Sequence, residues 1–499
     1  MRASDQLPIH YNAAEWFVGR HVKEGRGNRV ALLGDGFSLT YAELDLDVRR
    51  FASALREAGV HRGDRVAFIL PDTPLLSGGF WGAIALGAVA VPINTLLKPE
   101  DHRKILEDCD ARLLVSDAAV APAECMHWSA EEAIKRTAST KPRDYARTHR
   151  DSFAFFLYTS GTTGEPKGVV HLQHDMHVCC ETYGKSVLQT RESDRVFSMA
   201  KLFFAYGLGN SQYFPFHVGA SAVLFAGRPS PEAVFEQVRK HQPTLFFGAP
   251  TGYAMMLAAM DGGAKADFSS VRACASAGES LPGALLERWK AKTGLTILDG
   301  IGSTEICHIF LSNFPGKVRP GSSGVPVPGY DLRLVDETGS DVPRGQLGDL
   351  LVRGDSTMAL YWNKHETTKS TLRGEWIRTG DKYSQDGDGY FFHGGRSDDM
   401  LKVSGQWVSP VEVEAALIAH ASVLECAVVG QEDEGGLTKP HAFVTLKPGA
   451  EAAGIDEALK IFAREKLAGY KCPRWISVIS ELPKTATGKI QRFLLRARR

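Results

Sequence analysis

Between Tyr158 and Val169 the chain reads Tyr-Thr-Ser-Gly-Thr-Thr-Gly-Glu-Pro-Lys-Gly-Val, and no other stretch restricts its fold as tightly. Three glycines let backbone approach an anion closely, and Thr159, Ser160, Thr162 and Thr163 add hydroxyl donors. Lys167 adds a positive charge. An apolar run, Phe153–Leu157, precedes the loop as a strand, and a helix-like stretch is expected after it. The spacing is not that of a Walker A loop, because Pro166 stands where its second glycine would be. A turn of small polar residues rarely also ends in Pro-Lys-Gly, so the segment is read as a phosphate cradle.

The surroundings suit such a cradle. At 499 residues the chain exceeds what one hydrophobic core supports, so two or more domains are expected. Thr40 with Glu43 fits a capping box, Leu44, Val48, Phe51 and Leu55 then recur at helical spacing, and Gly59 ends the helix. Strand-like runs follow at Arg65–Leu70, Leu113–Ser116, Ala222–Phe225 and Leu245–Gly248. That alternation predicts an α/β fold: a large N-terminal domain with mainly parallel sheets flanked by helices. After about residue 320 short strands and turns dominate (Tyr330–Val335, Leu347–Arg353, a Gly-Asp-Gly turn before Tyr390), giving a β-rich subdomain. A polar stretch at Arg396–Asp399 then precedes a small mobile α+β domain, with helices over Pro410–Ile418 and Glu457–Leu467. The expected division is 1–397 and 398–499.

Lys plus Arg and Asp plus Glu both number 58, so net charge gives no reason to expect a nucleic-acid or acidic-membrane partner. No basic n-region with an apolar h-region opens the chain. The apolar stretch Gly78–Ile93 is too short and glycine-rich to span a bilayer, and reads as a buried helix leading into a strand. The eight cysteines include the pair Cys179–Cys180 but no C-x-x-C, so free thiols and a cytoplasmic location are expected.

The loop resembles the phosphate-loop signature of the superfamily of acyl-CoA synthetases, peptide-synthetase adenylation domains and firefly luciferases. Further motifs of that superfamily follow in order over nearly the whole chain. The resemblance implies ATP held by Thr159, Ser160, Gly161, Thr162, Thr163, Gly164 and Lys167. Ser276–Pro282 resembles the adenine-side loop, giving Gly278, Glu279 and Ser280. Gly300-Ile-Gly-Ser-Thr-Glu305 resembles the motif whose threonine meets the α-phosphate and whose glutamate helps hold Mg²⁺, here Thr304 and Glu305. Ile301 departs from the aromatic residue of many members. Arg378-Thr-Gly-Asp381 implies that Asp381 holds the ribose. Gly395–Lys402 implies that Arg396 binds nucleotide and that Asp398 is the hinge. Pro483–Ile490 makes Lys489 the catalytic lysine of adenylation. By the same resemblance Lys402, Ser404, Gly405 and Trp407 lie along the path of the pantetheine arm of coenzyme A.

The implied chemistry needs no general base, because a carboxylic acid is ionised at neutral pH. Carboxylate and ATP are both anions, so positioning and charge neutralisation are what the protein must supply. Rotation about Asp398 would then exchange the lysine for the face that admits the thiol. Lys201–Asn210 is rich in aromatic residues and glycine, as a flat slot for a ring would be. That stretch, Gly300–Ser312 and Tyr11-Asn-Ala-Ala look most like benzoate-CoA ligases, implying an acid pocket of Ala205, Tyr206, Gly300, Gly302 and Cys307, with His308 close. The expected partners are thus a small aryl carboxylic acid, ATP and CoA, with the chain a monomer or homodimer. An adenylation enzyme loading a carrier protein is the rival; the chain as read ends at Arg499 with no carrier domain appended, which leaves both acceptors open. His171, His174 and His177 with Asp175 lack a zinc-motif spacing and are not read as a metal site.

Overall fold

The computed structural model describes residues 3–118, 124–160, 166–403, 406–434, 437–484 and 490–496. Cα packing divides the chain into two units, one of residues 1–332 with 352–377, the other of residues 333–351 with 378–499.

In the larger unit, among the described residues, two mainly parallel sheets of nine and seven strands carry the fold. The expected helix runs over Tyr41–Glu57, with the Thr40/Glu43 capping box formed and Leu44, Val48, Phe51 and Leu55 buried. The stretch from Gly78 joins a buried helix, Pro74–Leu86, to the strand Val89–Pro92. No helix among the described residues is long and apolar enough to cross a membrane.

One expectation fails beside the phosphate loop. The residues after it are a strand, not a helix. Strand β1 (Phe153–Ser160) pairs antiparallel with β2 (Pro166–Leu172), Thr159 facing Lys167 and Ser160 facing Pro166. The β-branched pair Val169–Val170 is fully buried, and such residues favour the pleat over a helix. Helix α1 begins only at Asp175 and runs to Cys179.

In the nine-stranded sheet, Arg195–Ser198, Leu245–Gly248, β3 (Ala273–Ser276) and β4 (Ile297–Gly302) lie side by side and parallel. Their C-terminal ends lead into the three segments singled out from sequence: 201–210, 276–282 and 300–312. Ligands of open α/β sheets gather at this edge. β4 then returns as β5 (Ile309–Ser312).

The β-rich stretch forms a five-stranded sheet that includes the hairpin of β6 (Trp376–Gln385) and β7 (Phe391–Arg396). Beyond it, in the smaller unit, a three-stranded sheet of Val423–Glu432, Thr438–Leu446 and Trp475–Val478 packs with helices α2 (Pro410–Ile418) and α3 (Ile455–Lys466). A last short helix, α4, spans Arg492–Arg496.

Candidate active site

The larger unit builds its site around the turn between β4 and β5. Thr304–Ile306 form a single 3₁₀ turn, and each of four successive carbonyls receives an outside donor. His171 Nε2 donates to Thr304 O at 2.7 Å, and the Met358 amide to Glu305 O at 2.7 Å. Ser356 Oγ donates to Ile306 O at 2.9 Å, and Tyr213 O–H to Cys307 O at 3.4 Å. The turn closes on a strained residue: Cys307 has φ 72° and ψ −40°, which a β-carbon disfavours. Strain of this kind persists only where the surroundings over-determine it, as these donors do.

Both glycines ahead of the turn are forced by close backbone. A Cβ on Gly302 would lie 2.5 Å from the His308 carbonyl oxygen, and one on Gly300 2.7 Å from that of Leu311. Gly278 has φ 94°, a conformation that L side chains resist. The neighbouring Glu279 accepts a hydrogen bond from Thr251 Oγ1 at 2.7 Å, and Ser280 completes the loop.

Glu305 and Lys167 meet across Tyr361. The tyrosine O–H donates to Glu305 Oε1 at 2.8 Å, and Lys167 Nζ lies 5.7 Å from its ring centroid. Tyr361 reaches this place because Leu360–Tyr361 add a short strand to β2, Tyr361 facing Val169. Sequence reading missed it, and no local motif marks it. Asp299 was missed for a different reason: it sits inside a strand. Burial pushes its carboxyl well above the usual range.

On the acid side, Ala205 and Tyr206 are half-buried at the start of a short helix, Ala205–Leu208. Tyr206 stands 5.5 Å from the His308 ring and 6.0 Å from Phe247. His308 is enclosed by Tyr183, Tyr206, Tyr213 and Phe214, with Phe214 nearest at 4.6 Å. Burial lowers its pKa to about 3, so the ring is neutral. Gly209 makes room for it, since a Cβ there would come within 2.4 Å of His308 Cδ2. Cys307 Sγ is buried 3.8 Å from the Tyr213 hydroxyl oxygen. Ala205, Tyr206, Cys307 and His308 are therefore neighbours of the Thr304–Glu305 turn.

The smaller unit gathers charges instead. Asp381 and Arg396 face one another across the β6–β7 hairpin, with Arg396 Nη1 donating to Asp381 Oδ1 and to Thr379 O, each at 3.1 Å. Burial would raise the Asp381 pKa, but His393 and Arg396 overcome it and hold the carboxyl below its ordinary value. Lys402 is exposed on the short strand Leu401–Val403, paired with Gln406–Val408. Asp398 falls in the turn Ser397–Asp399, ahead of that strand. Gly161, Thr162, Thr163, Gly164, Gly405 and Lys489 lie outside the described residues, as do the side chains of Ser160, Asp398 and Trp407.

The three histidines do not converge. His171 binds Asp175 and Thr304, His174 contacts the carbonyls of Arg150 and Asp355, and His177 packs edge-on against Trp16. Among the described residues no three His, Cys, Asp or Glu side chains are grouped as metal ligands.

Two family models match the chain: AMP-binding enzyme over residues 19–362 and AMP-binding enzyme C-terminal domain over residues 412–489. A benzoate–CoA ligase of Thauera aromatica is 48% identical, covering 99% of this chain and 97% of its own length. An anthranilate CoA ligase solved with anthranoyl-AMP superposes with a TM-score of 0.93 at 44% identity, over 100% of this chain and 98% of its own. A benzoate CoA ligase from Burkholderia xenovorans LB400 gives 0.89 at 44% identity, over 97% and 100%.

Proposed function

The chain belongs to the family of AMP-binding enzymes, and from that premise we propose that it is an ATP-dependent, AMP-forming aryl-CoA ligase acting on benzoate or a substituted benzoate. The observation that carries the reading is the Thr304–Glu305 turn, pinned at four carbonyls beside an aromatic-lined, uncharged cluster of Tyr206, Cys307 and His308. A flat apolar ring suits the one side, and an α-phosphoryl group the other.

In the first half-reaction a carboxylate oxygen attacks the α-phosphorus and pyrophosphate leaves, giving the acyl-adenylate. Thr304 is assigned to the α-phosphate, and the hairpin loop with Lys167 to the outer phosphates. Glu305 fits a Mg²⁺ ion, since one carboxylate plus phosphate oxygens and water is a usual set for this ion; bound there, it would neutralise charge on the phosphates. Gly278, Glu279 and Ser280 are assigned to the adenine side, Asp381 to the ribose, Arg396 to the nucleotide, and Lys489 to the charge that develops during adenylation.

In the second half-reaction the CoA thiol attacks the acyl carbon and AMP leaves. Residues 398–499 turn about Asp398 for this step, bringing Lys402, Gly405 and Trp407 to the pantetheine arm. That moving part is smaller than the second packing unit, because the β6–β7 hairpin with Asp381 and Arg396 precedes the hinge. A cytoplasmic setting accords with eight free cysteines, none of them disulfide-bonded.

The test is AMP release from ATP, Mg²⁺ and CoA across benzoate, amino- and hydroxybenzoates, acetate and octanoate. Turnover with aryl acids and CoA is expected. Adenylation without CoA transfer would move the acceptor to a carrier protein, and preference for octanoate would overturn the ring pocket.

A further inference from the structure

The histidine-rich stretch after the phosphate loop is left unused by the reaction just described. Two of its residues nonetheless reach the catalytic turn. His171, on β2, and Asp175, at the start of α1, are both wholly buried, and His171 Nδ1 lies 2.7 Å from Asp175 Oδ2. On the other side of the ring, Nε2 lies 2.7 Å from Thr304 O. A carbonyl oxygen only accepts, so Nε2 carries a proton. A bare Nδ1 facing a carboxylate oxygen at that distance would be repelled, so a second proton lies between His171 and Asp175.

Asp175 is fixed in turn. Its Oδ2 also accepts from the Leu172 amide at 3.0 Å, and its Oδ1 lies 3.2 Å from His174 Nε2. The Phe155 ring stacks on His171 with centroids 5.0 Å apart and planes 22° off parallel. The imidazole therefore cannot swing away from Thr304. Among the described residues, the other three carbonyls of the turn accept from the Met358 amide, Ser356 Oγ and the Tyr213 hydroxyl, and of these four donors His171 alone is backed by a buried carboxylate.

We propose that His171 and Asp175 are positioning residues: Asp175 fixes the ring's orientation and keeps Nε2 protonated, and the ring tethers the Thr304 carbonyl, so the turn keeps its strained form when the α-phosphate is attacked. The arrangement repeats the logic by which a second-layer carboxylate orients a working imidazole. The proposal rests on the adenylation reading above, and its test separates the two.

Two variants divide the tether from mere packing. Gln Nε2 reaches about as far as the imidazole Nε2, so His171→Gln keeps a donor for Thr304 and gives up Asp175. His171→Asn does the reverse, because Asn Nδ2 stands nearer the Nδ1 position. With ATP, Mg²⁺ and benzoate in pyrophosphate exchange, His171→Gln is expected to hold kcat within about threefold of wild type, whereas His171→Asn loses about tenfold or more, with the KM values of both substrates within about twofold. Equal kcat in the two variants, or a loss that follows thermal stability rather than the Thr304 donor, overturns the tether. Wild-type exchange is measured first: its absence with every aromatic acid would sink the ligase reading, while wild-type exchange with equal variants sinks only the tether. Should neither variant fold, ¹⁵N-histidine NMR of the wild-type chain decides. A ring at position 171 with Nε2 protonated supports the proposal, and one with a bare Nε2 refutes it.

Discussion

The two units hold their functional residues by opposite means. In the larger unit the turn at Thr304–Cys307 is held through its main chain, by donors from β2, from the 356–358 segment and from Tyr213. In the smaller unit the equivalent residues are held by side-chain charges. Arg396 pairs with Asp381, and Arg492 Nη2 donates to both carboxylate oxygens of the buried Glu414 at 2.9 Å. Arg496 and Arg492 also reach Asp399, at 2.6 Å and 3.6 Å, so α4 is fastened to the turn that contains Asp398. Backbone anchoring fixes where atoms sit and leaves no partner for a ligand to displace. The half-exposed Arg396 can trade its partner for a ligand's own groups, whereas the buried Glu414–Arg492 pair is costly to break and holds α4 in place. The difference matches the work assigned to each: geometry for the α-phosphate and ring in one, exchangeable charge for ribose, phosphate and rotation in the other.

The largest effect expected is on the charge-based side. Lys489→Ala should lower adenylate formation by about 10²–10³-fold, the scale of losing a preorganised electrostatic partner, while CoA capture from a supplied acyl-adenylate changes little. Rapid-quench assays of each half-reaction check it. Equal loss in both would break the contrast, because the lysine would then belong to the fixed geometry.

The converse test adds a single methyl group to the larger unit. Gly302→Ala places a Cβ 2.5 Å from the His308 carbonyl oxygen, which is backbone and cannot rotate away. The turn must shift by a substantial fraction of an ångström, and a misplacement of about 1 Å can cost about a hundredfold in rate. The expected result is a kcat loss approaching that figure with the protein still folded, read from steady-state kinetics beside a thermal melt. Near-wild-type kcat would mean that the anchored turn has slack, and the comparison would lose its first half.

Much of this was legible in the sequence, for different reasons in different places. The capping box at Thr40 and the parallel strands announce themselves through local periodicity and hydroxyl chemistry. The segments 201–210, 276–282 and 300–312 are recognisable motifs, and the sheet order brings them to one edge. Tyr361 and Ser356 were invisible because their roles arise from strand pairing and chain return, about fifty residues from the turn they support. Pro166–Leu172 forms a strand where the sequence suggests a helix, because Lys-Gly-Val-Val-His is too short for periodicity to separate the two. In the sequence His171 and Asp175 stand only as a cluster of potential metal ligands. The proton-donor direction that ties them to Thr304 exists only in three dimensions.

The smallest effect concerns pH and separates the units by sign. His308 is held neutral by burial, with its pKa lowered from 6.5 to about 3. A histidine with a depressed folded pKa contributes stability that is fully present above the unfolded value of 6.5 and is lost as pH falls toward the folded one. At pH 5 the loss from this one group is about 2 kcal/mol. Glu414 in the smaller unit behaves oppositely. Burial raises its pKa against Arg492 and the Val428 amide, so its contribution is present below 4.5 and fades as pH rises through the folded value. His308→Phe removes the titrating ring together with its 3.3 Å contact to the Tyr206 carbonyl, so it should start below wild type at pH 8 and gain on it as pH falls, the difference shifting by about 2 kcal/mol by pH 5. Denaturant melts at the two pH values measure this directly. A constant difference between variant and wild type would mean that His308 is hydrated and able to charge, and that the larger unit's aromatic cluster is not the dry, uncharged wall on which the ring-pocket assignment depends.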